Sequence, residues 1–253
     1  MSMPETNTNW DLHHIRDCFS GLVRKTWKQS VLQPSKGPET FLADKQPGGT
    51  TTLICDNWVA RVSTRGEDPL GLGCWSYVTL RGKQGSLITV ITAYNASRSY
   101  GDTTNYQQQT HFLSRLYREN KLQHPPEPHC HFILDLQSWI ESLLLLGHGI
   151  ILALDANEAY DPDSSSPLCP LTFQTGKPTT CRPQNGKLGT LISTCGLLDP
   201  LFLQHPECPF PASHARGSKR IDFILVTPNL MPAVLRLGSL AFNSLMFSDH
   251  RPY

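Results

Sequence analysis

Charge is scarce in this chain, and long apolar runs are missing from it. Only 17% of the 253 residues are charged, and 22 Lys+Arg against 21 Asp+Glu leave a formal net charge of +1 with histidines neutral. That balance excludes a module that holds nucleic acid by bulk electrostatics, though not a local basic patch facing phosphate. With 39% hydrophobic residues the chain is neither a disordered acidic tail nor a coiled coil. Its most apolar stretch, Trp139 to Leu154, is broken by Glu141, Ser142, Gly147, His148 and Gly149. It therefore falls short of the roughly 18 consecutive apolar residues of a membrane helix. The opening Met-Ser-Met-Pro-Glu-Thr-Asn has neither a basic nor an apolar segment, so no secretory signal is visible and an intracellular location, nuclear or cytoplasmic, is expected. The 8 cysteines are irregularly spaced, which reads as free thiols in a reducing compartment. No internal repeat occurs.

What is present is a mixture of helical and strand periods over a length that suits one layered α/β domain, 1–253. Asn9 to Lys28 has helical spacing, and a Pro-, Gly- and Thr-rich loop follows from Gln33 to Thr51. Thr52–Ile54, Val59–Ser63, Ser76–Leu80 and Leu87–Ala93 read as neighbouring antiparallel strands. Asn105–Asn120 and His131–Leu146 read as helices, with a proline-dense break at Gln123–Pro128 between them. Ile150–Leu154 is an apolar strand, 161–186 a long loop, Lys187–Cys195 a short helix and Arg220–Val226 another strand.

Three of these segments share one design. Ile150–Leu154 delivers Asp155 and Asn157, Arg220–Leu225 embeds Asp222, and Leu245-Met246-Phe247 delivers Ser248-Asp249-His250. An Asp inside an apolar run costs several kcal/mol to desolvate unless it is paired or binds a cation. Any one of the three is a capped turn as easily as a site, but three together point to a shared acidic pocket. Weaker candidates surround them. His129-Cys130-His131 is a poor tetrahedral zinc site and reads as a surface loop. His13-His14 read as solvent-facing, and the tryptophans as core rather than stacking platforms. Arg216, Lys219 and Arg220 form a basic cluster that suits a solvated turn and phosphate contact equally well.

Tyr94 after a strand, Asp155-Ala-Asn157, Arg220-Ile-Asp222-Phe-Ile-Leu and Ser248-Asp249-His250-Arg-Pro resemble the ordered motifs of the endonuclease/exonuclease/phosphatase superfamily. Pro4-Glu5-Thr6-Asn7 resembles that family's segment ending in a metal-binding glutamate. Leu136 and Trp139 followed by Gly-His-Gly-Ile-Ile-Leu most resemble its retrotransposon-type branch. The resemblance implies a four-layer α/β sandwich, two packed and mostly antiparallel sheets with helices outside. It implies a Mg²⁺-dependent phosphodiester hydrolase, with Mn²⁺ as the alternative ion and DNA as the favoured substrate. A phosphatase acting on a small phosphoester or phosphoinositide, and an inactive remnant that binds nucleic acid, are the alternatives.

Residue by residue, the resemblance makes Glu5 and Asp249 the metal ligands, and Asp155 the group that orients or deprotonates the attacking water with Asn157 beside it. His250 contacts the scissile phosphate and is kept cationic by Asp222, and Tyr94 donates to phosphate or lines the pocket. It also implies that an Asn-bearing first strand and a closing last strand of the family lie outside this chain. No membrane contact is expected, and no protein partner can be named.

Overall fold

A computed structural model of the chain describes residues 1–38, 43–121, 124–160, 186–206, 211–242 and 249–253. In chain order the elements are β1 Ser2–Met3, α1 His13–Thr26, β2 Ser30–Ser35, β3 Thr50–Cys55, β4 Val62–Glu67, β5 Trp75–Arg81 and β6 Leu87–Tyr94. There follow α2 Asn105–Glu119, α3 Pro128–Leu145, β7 Gly149–Asp155, α4 Gly186–Thr194, α5 Pro200–Gln204 and β8 Asp222–Val226. The strands form a three-stranded sheet in the order β1-β3-β2 and a five-stranded sheet in the order β4-β5-β6-β7-β8. All pairings are antiparallel except β6 with β7, which are joined through α2 and α3. The fold is thus the α/β arrangement of two sheets with helices that the sequence motifs imply.

Period-two alternation sorts the five-stranded sheet into two faces. One face presents Trp75, Ile91, Ala93, Ile150, Leu152, Leu154, Phe223 and Leu225. Leu113 of α2, Phe132, Leu136 and Ile140 of α3 and Leu188 and Leu191 of α4 cover it, making the main core. The other face meets the three-stranded sheet, and along this seam polarity rises in steps. Ile54, Val78 and Leu80 fill one end, with Val31 and Val90 against them. Next comes a buried chain of hydroxyls, in which Thr52 Oγ1 lies 3.0 Å from Ser76 Oγ and 2.8 Å from Thr92 Oγ1. A hydroxyl can donate and accept at once, so Thr52 Oγ1 can serve both neighbours and link the group across the seam. At the far end the same faces of β6, β7 and β8 present Tyr94, Asp155 and Asp222, paired Tyr94↔Asp155 and Asp155↔Asp222.

Several sequence expectations change. The loop expected from Gln33 begins as the end of strand β2, which tolerates Pro34 because it lies at a sheet edge, hydrogen-bonded only to β3. The strand expected at Val59–Ser63 is a 3₁₀ helix over Asp56–Arg61 running into β4, and Trp58 on it is 57% exposed rather than core. Pro128 does not belong to the proline-rich break but starts α3, where its missing N–H costs nothing. The 161–185 part of the expected long loop and the expected Leu245–Phe247 strand with Ser248 lie outside the described residues. Among the described residues no helix is long and apolar enough to cross a membrane.

Leu136 is fully buried between α3 and the sheet. Leu136→Ala is expected to destabilise the chain by about 2–5 kcal/mol, because the surrounding side chains cannot collapse fully into the gap. Denaturant unfolding checks this, and a loss under about 1 kcal/mol would show that this side chain is not a core anchor.

Candidate active site

Asp155 and Asp222 face each other across neighbouring strands at the polar end of the seam. Asp222 is held from every side. Its N–H donates to Ser213 Oγ at 3.0 Å, its carbonyl accepts from Arg220 Nε at 3.1 Å and Tyr253 Oη at 3.0 Å, and its carboxylate accepts from His250 Nδ1 at 2.9 Å. Ser213 Oγ also accepts from Ile221 N–H at 2.8 Å, so one hydroxyl fixes the start of β8.

His250 is brought to this place by a short zipper between 213–215 and 249–251. Ala215 N–H donates to Asp249 O at 2.7 Å, and Arg251 N–H donates to Ser213 O at 2.8 Å. Burial lowers the His250 pKa, but the hydrogen bond and charge of Asp222, with Asp155 and Asp249 behind, outweigh it and push the imidazole up to about 9. At neutral pH it is a cation that donates to Asp222 and turns Nε2 toward Asp155 Oδ2, 3.9 Å away.

Asp155 is the opposite case. Its Oδ1 accepts from Asn157 N–H at 3.2 Å, but its buried Oδ2 makes no hydrogen bond among the described residues. Burial and the neighbouring Asp222 charge raise its pKa, against the pull of His250. Asn157 has φ +47° and spends its side-chain amide on Asn95 O at 2.7 Å, so its backbone steers Asp155. Asn95 returns two bonds, from its N–H to Asp155 O and from Nδ2 to Ala156 O, both 2.9 Å.

Glu5 arrives from the three-stranded sheet. The turn after β1 gives Glu5 and Asn7 φ values of +49°, and Thr6 N–H and Asn7 N–H donate to Gly49 O and Gly48 O at 3.0 and 2.9 Å. Gly48 itself has φ +77°, and a Cβ there would lie 2.4 Å from the Asn105 amide, so only glycine fits. The turn places Glu5 against Tyr94, whose pKa is raised by burial and then by the Glu5 charge and hydrogen bond. Ligand atoms of Glu5, Asp155 and His250 all lie within 4.8 Å of one another, while Asp249 joins a separate group with His214 and His250. Asp249 Oδ2 faces His214 Nε2 at 3.3 Å and Arg216 at 3.9 Å. The structure thus brings Glu5, Tyr94, Asp155, Asp222 and His250 together, with Asn157 adjacent, and groups Asp249 with His214 and His250.

Sequence reasoning passed over Ser213, His214, Asn95 and Asp199. Asn95 had a signal, directly following Tyr94 at a strand end, and Asp199-Pro200 is a recognisable helix start. Ser213 and His214 had none, because their role depends on distant 249–251. The His129-Cys130-His131 run lies on α3 rather than a loop, with His129 on the Ala96 carbonyl and Cys130 on Lys187, so it does not converge on a metal. The described cysteines are free thiols.

Solved structures share this architecture. AP endonuclease LMAP from Leishmania major is similar with TM-score 0.60 and 15% identity over 99% of this chain and 75% of that one. The catalytic domain of APE2 from Xenopus laevis is similar with TM-score 0.55 and 16% identity over 98% and 80%. The 3′ phosphatase NExo from Neisseria, solved with a product DNA hairpin, is similar with TM-score 0.50 and 15% identity over 99% and 96%. The chain has the endonuclease/exonuclease/phosphatase fold. No protein-family model matches the sequence, and no curated protein does.

Both unusual titrations carry the same sign. A histidine raised from 6.5 to about 9 stabilises the fold fully below about pH 6.5, and that stabilisation is lost as pH rises through 9. A carboxyl raised above its ordinary value likewise loses its contribution as pH rises. The metal-free chain is therefore expected to lose on the order of 2–3 kcal/mol between about pH 6.5 and 9. His250→Asn is expected to flatten that slope. Thermal melts in EDTA across this range decide it, and an unchanged slope in His250→Asn removes the imidazole from the account.

Proposed function

We propose that this chain hydrolyses phosphodiesters in DNA with the help of a divalent cation, Mg²⁺ by preference, as an endonuclease of retrotransposon type. The observation that carries the reading is the register of Tyr94, Asp155 and Asp222 across three neighbouring strands, closed by the Asp222–His250 pair and by Glu5. The donor set suits a hard cation. Glu5 and the hydrogen-bond-free Oδ2 of Asp155 are carboxylate oxygens facing one small space, the condition in which a buried acid is costly until a cation arrives. Glu5 would hold the ion, with Asp249 joining it after leaving His214, and Tyr94 would fix the Glu5 carboxylate. When bound, the ion supplies Lewis-acid polarisation of a phosphoryl oxygen and charge for the departing alkoxide.

The chain's own residues supply the rest. Asp155 is the proton acceptor for the attacking water, since a carboxylate whose pKa is raised toward neutrality takes up a proton where an ordinary one does not. The Asn157 N–H aims its other oxygen. His250 presents Nε2 as a charged donor for a non-bridging phosphate oxygen, and Asp222 keeps it protonated through Nδ1. DNA as substrate is supported by similar structures of AP endonucleases and of NExo with a DNA hairpin. The retrotransposon assignment rests on the Leu136/Trp139 and Gly-His-Gly-Ile-Ile-Leu motifs. In the fold Trp139 stacks against Tyr77 at 4.7 Å and the second motif runs into β7.

Nicking of supercoiled plasmid with Mg²⁺, and its loss with EDTA, tests the reading. Phosphate release from small phosphoesters or phosphoinositides without nicking would assign the phosphatase alternative, and binding without turnover the inactive one. Asp155→Asn and Glu5→Gln are each expected to lower the nicking rate about 10²–10⁴-fold. Asp155→Asn should also raise the melting temperature, because it removes a buried carboxyl with an unpaired oxygen.

His250→Asn and Asp222→Asn are expected to overlap rather than multiply, since Asp222 acts through the imidazole. Comparison of both single variants with the double variant checks this. Multiplied losses would show that Asp222 has a second task.

A further inference from the structure

The basic cluster before β8 does not behave as one unit. Arg216 is exposed, whereas Arg220 turns inward and its side chain is 7% exposed. Its NH1 donates to Asp199 Oδ2 at 2.6 Å and its NH2 to Asp199 Oδ1 at 3.2 Å. The remaining edge, Nε, donates to the Asp222 carbonyl at 3.1 Å and to Tyr253 Oη at 3.3 Å. The guanidinium plane lies over the rings of Phe223 at 4.6 Å and Tyr253 at 5.6 Å. Asp199 is equally committed, capping α5 by accepting from Leu201 N–H at 3.1 Å and Phe202 N–H at 3.3 Å.

We propose that Arg220, anchored by Asp199, is a positioning residue that fixes Asp222 so that its carboxylate stays on His250 Nδ1, and that it makes no phosphate contact. The inference rests on the hydrolase reading above and deepens it. A buried ion pair is a weak source of stability, because the cost of desolvating both charges offsets most of their attraction. Geometry is what it supplies here. The rigid fork binds a carboxylate with one edge and a carbonyl with the other, which the single ammonium of lysine cannot do at once. Asp222 is the residue before the side chain that stacks on this fork, so a shift of the guanidinium moves the backbone that aims the carboxylate. The Tyr253 hydroxyl, donating to the same carbonyl, completes the cradle.

The test replaces both charges, Arg220→Met with Asp199→Leu, so that neither is left buried and unpaired. With supercoiled plasmid and Mg²⁺, kcat is expected to fall about 10–100-fold while KM stays within about twofold. The second readout needs no activity. The proton of His250 Nδ1 held by a carboxylate gives a downfield proton resonance, assigned by its disappearance in His250→Asn. In the double variant it should vanish or broaden while the melting transition remains cooperative. Wild-type kcat with the resonance intact would overturn the proposal. So would a raised KM at unchanged kcat, which would make Arg220 a substrate contact. If the double variant does not fold, Arg220→Lys carries the same two readouts: a lowered kcat with a weakened resonance supports the proposal, and wild-type values of both overturn it. If the wild-type chain nicks nothing, the hydrolase reading fails, yet the resonance in the variants still decides whether Arg220 positions the pair.

Discussion

Two carboxylates buried side by side at the end of the seam between the sheets are the constraint on which the rest of this structure depends. The inter-sheet space is apolar at Ile54, Val78 and Leu80, hydroxyl-lined at Thr52, Ser76 and Thr92, and acidic at Asp155 and Asp222. Low dielectric makes each acid costly alone and the pair costlier still. The imidazolium of His250 offsets one of them. The other keeps an oxygen without a hydrogen bond, and that residual demand makes the seam receptive to a proton or a cation.

Glu5 and His250 are brought to the acidic end by backbone hydrogen bonds, and Asp222 is held there by side chains as well, those of Ser213, Arg220, Tyr253 and His250. Glu5 depends on the hydrogen bonds of Thr6 and Asn7 to Gly49 and Gly48. His250 depends on the zipper with 213–215, and Asn157 on the exchange with Asn95. The two sheets therefore act as jaws: β6, β7 and β8 carry Tyr94, Asp155 and Asp222, and the turn after β1 carries Glu5. Short connections at rigid strand ends fix such groups more tightly than mobile loops could.

The strands that carry the site were legible because each shows an apolar run ending in polar groups, and period-two alternation then fixes which face they share. Asp155 and Asp222 were singled out on that basis, Tyr94 came only with the family resemblance, and the motifs in order implied the fold. The edge strand β2 was not legible, since Pro34 argues against a strand until its edge position is known. Arg220 could be placed either way, because a basic residue beside a pocket looks the same whether it faces phosphate or an internal carboxylate. Its partner Asp199 lies 21 residues away in sequence, and only the fold brings them together. Asp249 shows what the motif cannot tell: its resemblance makes it a metal ligand with Glu5, and only the fold shows that its carboxylate also meets His214. A local pattern identifies which residues are reserved for chemistry, and long-range packing decides which of them meet.

One residue type thus occupies three different environments within a short distance, and the proposed function gives each a different task. Asp222 has a hydrogen-bonded backbone at both ends and an imidazole on its carboxylate, so it stays a fixed counter-charge. Asp155 has one oxygen hydrogen-bonded and one that makes no hydrogen bond among the described residues, with the His250 imidazole facing it at 3.9 Å, an environment that suits gain and loss of a proton. Asp249, about half exposed beside His214 and Arg216, bears little desolvation cost and can change partners without disturbing the core. A base has to be buried enough to want a proton, and its counter-charge has to be held too firmly to compete for it. An entering cation needs at least one ligand that is free to move. On the proposed reading, register between the strands would meet the first two conditions, and the third would fall to Asp249.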